Sequence, residues 1–193
     1  MVLSNVEIHK ALDSGSLIIN PEPSPRFPTL DDPDCPYGTT AVDLSLGMEL
    51  AIPESDKPFV FDLRRGSIAK FLSENCRKVS IDPDGGFCLQ PQQFVLGKTV
   101  ERVGLPIREE CTLAARVEGR SSFARCGLLV HFTAPTIHAG FEGTITLEMM
   151  NLGIYPIMLY EGLHICQLIV ERVDGTPQSN PSEFHLQSTP TGL

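Results

Sequence analysis

One stretch of this sequence concentrates charged and hydroxyl side chains between residues 116 and 125. It contains Arg116, Glu118, Gly119, Arg120, Ser121, Ser122 and Arg125. Arginine side chains, serine hydroxyls and the exposed N–H groups of a glycine-containing turn are the groups that bind a phosphate. A surface turn satisfied by its own ion pairs has the same composition. The stretch therefore predicts either a phosphate site or a surface turn.

A second candidate is Glu148, which interrupts an apolar run. In a strand, the odd-numbered positions of this run would form the apolar face, and Glu148 would share the other face with Thr144 and Thr146. A carboxylate flanked by Leu147 and Met149 is partly desolvated and needs a nearby cation to stay ionised. Taken alone, a glutamate in this position is more often an ordinary solvent-facing residue. A role in chemistry for Glu148 thus depends on partners elsewhere in the chain.

The histidines do not form a metal-binding pattern. None sits in H-x-E, H-x-x-x-H or H-E-x-x-H, and P-C-x-x-C, Walker A and G-x-S-x-G patterns are absent from the sequence. The five are His9, His131, His138, His164 and His185. We therefore expect no zinc site, and His131, on a predicted strand, is by its position a core histidine.

Short strands are the elements predicted to position these residues. Six apolar residues in strict alternation predict a half-buried strand over 42–52, bent at Gly47. Similar runs predict strands at 17–19, 59–63, 87–89, 94–96, 113–117, 127–132, 144–150, 157–160 and 165–170. Closely spaced turn residues between them indicate a mainly β sandwich, barrel or jelly roll rather than parallel βαβ units.

Helices and irregular segments complete this organisation. Ser4 and Glu7 match a capping box, which predicts a short helix to about Asp13, ended by Gly15. A second short helix is predicted over 67–73. Six prolines make 20–36 a long surface connection. We expect one domain over 1–174, followed by a mobile C-terminal arm over 175–193.

Composition bounds the class of protein. The 193 residues fit one domain, and a mean hydropathy near zero with 41% apolar residues excludes a membrane protein. A net charge of −9 argues against a nucleic-acid partner, because phosphate affinity needs a basic face. Six cysteines without paired spacing predict free thiols. With an N-terminus that is neither basic nor apolar, they predict a cytoplasmic protein without membrane contact.

Several motifs in one order give the sequence a family resemblance. They are GRSSFARCGL at 119–128, VHFTA at 130–134, GFEG at 140–143 and ITLE at 145–148, extended by VDLSLG at 42–47, TVE at 99–101, LP at 105–106, LSNVEI at 3–8, Gly162 and QLI at 167–169. Together they resemble dCTP deaminases of the dUTPase-like superfamily. The resemblance covers nearly the whole chain.

The resemblance implies a fold and an activity. The subunit would be a distorted β-barrel or jelly roll that assembles into a homotrimer with active sites between subunits. The reaction would be the hydrolysis of dCTP to dUTP and ammonia, which supplies dUTP for thymidylate synthesis. It would need no zinc, and Mg²⁺ would be carried by the triphosphate.

The resemblance also assigns roles to individual residues. Glu148 matches the catalytic glutamate that activates water for attack at C4 of cytosine, and Arg125 and Ser121 match residues that orient that water and the glutamate. Such a glutamate beside an arginine can act as a general base without a metal. The positions matched to substrate binding are Arg120, Ser122, His131, Ala134, His138, Gln167 and Gln187.

Two positions depart from the family pattern. His138 stands where an aspartate usually contacts the sugar; in dUTPases the corresponding aspartate activates the water that attacks the α-phosphate. Glu183 stands where a lysine commonly binds the triphosphate, and a carboxylate there would repel a phosphate. Three alternatives stay open: a dCTP deaminase, a bifunctional deaminase and diphosphatase that forms dUMP, and a non-catalytic nucleotide-binding trimer. His138 and Glu183 favour the third, whereas the intact set of Ser121, Arg125 and Glu148 argues against it.

Overall fold

Strands dominate the computed structural model, which describes residues 1–30, 34–54, 62, 64, 66–109, 111–180 and 182–193. The strands are β1 (Ile18–Asn20), β2 (Val42–Ser45), β3 (Glu49–Pro53), β4 (Cys76–Ser80), β5 (Phe87–Leu89), β6 (Phe94–Gly104), β7 (Leu113–Gly119), β8 (Leu128–Val130), β9 (Thr136–Ile137), β10 (Glu142–Asn151), β11 (Ile157–Leu159) and β12 (His164–Arg172). The helices are α1 (Asn5–Asp13), α2 (Ile68–Asn75) and α3 (Ser121–Ala124). The mainly β prediction is confirmed. The strand predicted at 59–63 lies, except for Asp62, outside the described residues.

The strands form three antiparallel sheets. The largest has the order β4-β3-β6-β10-β8, with β1 also paired to β6; the second has the order β2-β12-β7-β9; and β5 pairs with β11. The long strands β6 and β10 run side by side and place Glu148 opposite Leu96. Barrel-like closure and a trimeric assembly stay predictions.

The strand predicted over 42–52 is wrong in one respect. The chain divides it into β2 and β3, which belong to different sheets, and both contain consecutive buried residues rather than one buried face. At the break, the Gly47 N–H donates to the Lys98 carbonyl at 2.8 Å. A Cβ atom at position 47 would lie 3.1 Å from that carbonyl oxygen, so this close approach of two backbones favours glycine.

The core lies between the two large sheets and determines which way Glu148 faces. Ile145, Leu147 and Met149 of β10 are buried in one cluster with apolar residues of β2, β6, β7 and β12. Because side chains alternate along a strand, Thr146 and Glu148 face the other side and are only partly buried. The predicted alternation is confirmed for residues 145–150, whereas Thr144, predicted on the outer face, is buried and precedes a shift in the register with β6.

The predicted N-terminal helix is present, with half of its capping box. Ser4 Oγ accepts a hydrogen bond from the Glu7 N–H at 3.4 Å. The Glu7 carboxylate contacts Lys10 at 2.7 Å and Arg172 at 3.0 Å, so it is engaged with cations instead of the Ser4 N–H. The second predicted helix corresponds to α2, whereas α3 was not predicted.

Part of the C-terminal arm is docked on β10 in this structure. The Thr144 N–H donates to the Gln187 carbonyl at 3.1 Å, and Gln187 Nε2 donates to the Thr144 carbonyl at 2.8 Å. The Leu186 N–H adds a bond of 2.7 Å to the Glu142 carbonyl. The end of the arm therefore forms part of the same surface as β10.

The cysteines and the helices bear on two further sequence predictions, free thiols and the absence of membrane contact. All six cysteines are free, as predicted. Within the described ranges, no helix is both long enough and apolar enough to cross a membrane. The cytoplasmic location stays a prediction.

Candidate active site

A pocket of about 570 Å³ lies on the outer face of β10. Its walls come from β6, β10, the segment from His131 to Phe141, helix α2 and the C-terminal arm. Most of the lining is apolar, for example Leu72, Phe94, Ile137 and Phe184. A pocket with apolar walls and a few polar groups suits a planar, partly polar ligand such as a nucleobase.

Glu148 and His131 form an ion pair at this pocket. His131 Nδ1 lies 2.7 Å from Glu148 Oε2, and the side chain of His131 is only 6% exposed against 33% for Glu148. The contact does not meet the geometry of a hydrogen bond, so it is an ion pair when His131 is protonated. The pair leaves a third of the carboxylate side chain open toward the pocket.

The contact of the second ring nitrogen of His131, Nε2, shows that this nitrogen carries a proton. Nε2 lies 2.8 Å from the Ala134 carbonyl oxygen, which can only accept, so Nε2 carries a proton. Burial by itself lowers the pKa of His131, but the contact with Glu148 and the Ala134 carbonyl outweigh it and raise the pKa above the usual value. His131 is thus the partner of Glu148. It follows β8, lines the pocket and is not part of the core cluster, so the prediction of a core histidine on a strand is wrong.

The structure brings five of the predicted site residues to this pocket. They are His131, Ala134, His138, Glu148 and Gln187. Gln187 is buried and uses its amide on the Thr144 carbonyl. Its side chain therefore holds the arm to β10.

The residues at the start of α3 are placed elsewhere. Ser121, Ser122 and Arg125 are exposed and do not line the pocket. Arg125 makes no ion pair with any part of the chain that the structure describes. Within one copy of the chain, the arginine and the catalytic-type glutamate are therefore not brought together.

A third location holds Arg120 and Gln167. Both contact Asp43, a residue of β2 that sequence reasoning did not single out as functional. Asp43 carried the same signal as Glu148, a carboxylate inside an alternating apolar run. The α2 residues Ile68 and Leu72, which line the pocket, gave no signal because their composition is that of any amphipathic helix.

In the residues for which the structure gives positions, no group of three or more His, Cys, Asp or Glu side chains is arranged to hold a metal ion. Glu148 and His131 are the acid–histidine pair that this pocket offers for chemistry.

A family model described as dCTP deaminase-like matches residues 2–173. The chain belongs to this dCTP deaminase family, which confirms the resemblance and the prediction of an enzyme.

Named relatives agree with this assignment. The chain is 36% identical to a "dCTP deaminase" of Haloarcula marismortui over 98% of this chain and 92% of that protein. It is 35% identical to a "dCTP deaminase, dUMP-forming" of Dictyoglomus thermophilum over 99% of this chain and 93% of that protein. A crystal structure of 2'-deoxycytidine 5'-triphosphate deaminase from Agrobacterium tumefaciens has a similar fold, with a TM-score of 0.62 and 18% identity over 90% of this chain and 48% of that chain.

Proposed function

We propose that the protein hydrolyses dCTP to dUTP and ammonia, with Glu148 as the general base. The observation that carries this proposal is the Glu148–His131 pair at the pocket, 2.7 Å between Oε2 and Nδ1. Water is a poor nucleophile at neutral pH, and a positioned carboxylate can take its proton. The relatives named as dCTP deaminases support the choice of substrate.

In the proposed reaction, Glu148 acts as a proton shuttle in two successive transfers. Glu148 takes one proton from water and passes it to N3 of cytosine as the hydroxyl adds to C4. The remaining hydroxyl proton then passes through Glu148 to the amino nitrogen, which leaves as ammonia while the C4 carbonyl forms. His131, held by the Ala134 carbonyl, offers the carboxylate a fixed cation during both transfers.

The proposal requires a second copy of the chain. Arg125 and Ser121 lie away from the pocket of their own copy, so we assign them to the pocket of a neighbouring copy in a homotrimer. There they would orient the water and Glu148. Residues 1–174 would form the subunit body, and residues 175–193 the arm that covers its own pocket.

The phosphates would be bound at the edge of this composite site. Arg120 and Ser122 would face them, with Gln167 beside Arg120, while His138 would lie at the sugar. Mg²⁺ would enter as part of the substrate and screen the charge of the triphosphate. This division leaves the apolar pocket for the base.

A product assay tests the proposal. Purified protein is incubated with dCTP, dCMP, CTP or dUTP, with and without Mg²⁺, and the loss of cytosine absorbance and the products are followed. We expect dUTP and ammonia from dCTP in equal amounts. Protein that leaves all three cytosine nucleotides unchanged would be a non-catalytic nucleotide-binding trimer, and the proposal would be wrong.

Formation of dUMP is the second candidate function. The Dictyoglomus thermophilum relative is named as dUMP-forming, which favours it. His138 in the pocket argues for dUTP release, because an imidazole replaces the aspartate that activates water for attack on the α-phosphate in dUTPases. Accumulation of dUMP and diphosphate from dCTP would decide for the bifunctional enzyme.

Mixing two inactive variants tests the composite site. In mixed trimers of E148Q and R125A, some sites receive Glu148 from one copy and Arg125 from another. We expect activity to reappear after joint refolding of the two variants and not after refolding of either alone. Sites built within one copy would give no recovery.

A further inference from the structure

Asp43 lies at the centre of a polar network on the second sheet. Its Oδ2 atom is 3.0 Å from Arg120 Nη1, and its Oδ1 atom accepts a hydrogen bond of 2.9 Å from Gln167 Nε2. Asp43 and Gln167 are opposite each other on the paired strands β2 and β12. Both carboxylate oxygens are therefore used, and the Asp43 side chain is only 11% exposed.

The same network holds the Arg120 guanidinium through its Nη1 atom. Nη1 also donates to the His164 carbonyl at 3.3 Å, and the guanidinium lies 5.7 Å from the ring centre of Phe123. Among the described residues, the Nε and Nη2 groups have no hydrogen-bond partner. The side chain is 32% exposed, so the free edge of the guanidinium is accessible.

We propose that Asp43 is a positioning residue that presents the free edge of Arg120 to the phosphates of the substrate. This inference rests on the proposed function, in which Arg120 faces the phosphates. A free arginine loses much side-chain entropy when it binds a phosphate, and a network that holds it beforehand removes that cost. Two unpaired N–H groups on a planar guanidinium also match the two oxygens of a phosphate.

Charge and geometry make opposite predictions at this position. The Asp43 carboxylate cancels part of the positive charge of Arg120, so removing it should strengthen phosphate binding if charge alone mattered. If Asp43 instead acts by orienting Arg120, its removal should weaken phosphate binding. The sign of the change therefore separates the two.

Steady-state kinetics on D43N provide the test. We expect the KM for dCTP to rise about ten- to a hundredfold, the effect of losing a hydrogen bond to a charged group, with kcat changed by less than about threefold. Any activity on deoxycytidine, which has no phosphate, should be unchanged. The matched control is E171Q, which removes a similar ion pair, 2.9 Å to Arg116 on the same sheet, and should leave KM unchanged.

A double variant shows whether Asp43 acts through Arg120. In an R120Q background, D43N should add no further rise in KM, because the group it positions is gone. Three results would each overturn the inference: additive effects of D43N and R120Q on the KM for dCTP, a lower KM for dCTP in D43N, or an equal rise in the KM for deoxycytidine. Circular dichroism and the thermal midpoint check that the variants are folded.

Two further measurements apply if the wild type does not deaminate dCTP or if D43N does not fold. If the wild type binds Mg–dCTP without deaminating it, the proposed function is wrong, and the Kd of Mg–dCTP from equilibrium dialysis replaces KM. If D43N does not fold, D43E keeps the charge but displaces it by one methylene, and it should still raise KM or Kd. An unchanged value for folded D43E would then contradict positioning.

Discussion

His131 Nδ1 lies 2.7 Å from Glu148 Oε2 because strand pairing places the two residues next to each other. Val130 of β8 is paired with Met149 of β10, and the His131 N–H donates to the Glu148 carbonyl at 2.8 Å. At this point the backbone of His131 adopts φ +65°, a left-handed conformation that is uncommon outside glycine. The pair is thus fixed by backbone geometry as well as by charge.

E148Q should abolish deamination and leave the fold intact. The amide keeps the shape of the side chain but cannot accept the proton of water. Loss of a general base costs about 10² to 10⁴ in rate. The measurement is dUTP formation, with size-exclusion chromatography and circular dichroism as controls; more than about a tenth of wild-type kcat in folded protein would exclude Glu148 as the base.

The pKa of His131 should fall in E148Q. In the wild type, burial is the largest single influence and lowers this pKa, but Glu148, the Ala134 carbonyl and Glu118 together raise it by more. Without the carboxylate, burial dominates and the pKa should drop below the ordinary histidine value. NMR titration of the imidazole nitrogens measures both proteins, and equal pKa values would show that the pair does not control His131.

The same pair gives stability a pH dependence of defined sign. Because the pKa of His131 is raised in the folded state, the stabilisation by Glu148 is fully present below the unfolded-state pKa. It is lost as pH rises through the folded-state pKa. Urea unfolding of wild type and E148Q should therefore show a difference at about pH 6 that shrinks toward about pH 9, and a difference that grows would contradict this.

R125A should damage turnover at least as much as binding. In the proposed composite site, the guanidinium aims Glu148 and the water, so we expect kcat to fall about a hundredfold, the cost of removing one oriented charged donor. A residue that bound only phosphate would raise KM and leave kcat unchanged. Kinetics from about pH 6 to 9 distinguish these outcomes.

Activity should survive zinc chelation once Mg²⁺ is restored. The proposed base is a carboxylate held by a histidine, and no step uses a zinc-bound water. The test treats the protein with a zinc chelator, removes the chelator, adds Mg²⁺ and measures dUTP formation. Stoichiometric zinc by elemental analysis, with activity that follows it, would contradict the proposal.

G143A should loosen the C-terminal arm. A Cβ atom at position 143 would lie 3.0 Å from the Gln187 carbonyl oxygen and 3.2 Å from its amide nitrogen, so the docked segment must move by a few tenths of an ångström and its hydrogen bonds to Thr144 weaken. We expect faster proteolysis after residue 174, detected by mass spectrometry. The control is G38A, where a Cβ would make an ordinary contact of 3.7 Å; equal cleavage of the two variants would show that the arm is not held at Gly143.

Local patterns predicted the elements well where one periodicity dominated. Alternation around Glu148 gave both the strand and the side it faces. The break at Gly47 was mispredicted as a bend because the same alternation continues through it. The two strands are separated by hydrogen bonds to distant segments, from the Leu46 N–H to the Leu163 carbonyl and from the Gly47 N–H to the Lys98 carbonyl. The pairing of His131 with Glu148 could not be predicted from spacing, because it depends on the register between β8 and β10.

The arm shapes the pocket without belonging to the hydrophobic core. Phe184, Gln187 and Thr191 line the pocket, whereas the last residue of the core cluster is Val170. Loss of residues 175–193 through a premature stop codon would therefore remove one wall of the pocket while it leaves every residue of the core cluster in the chain.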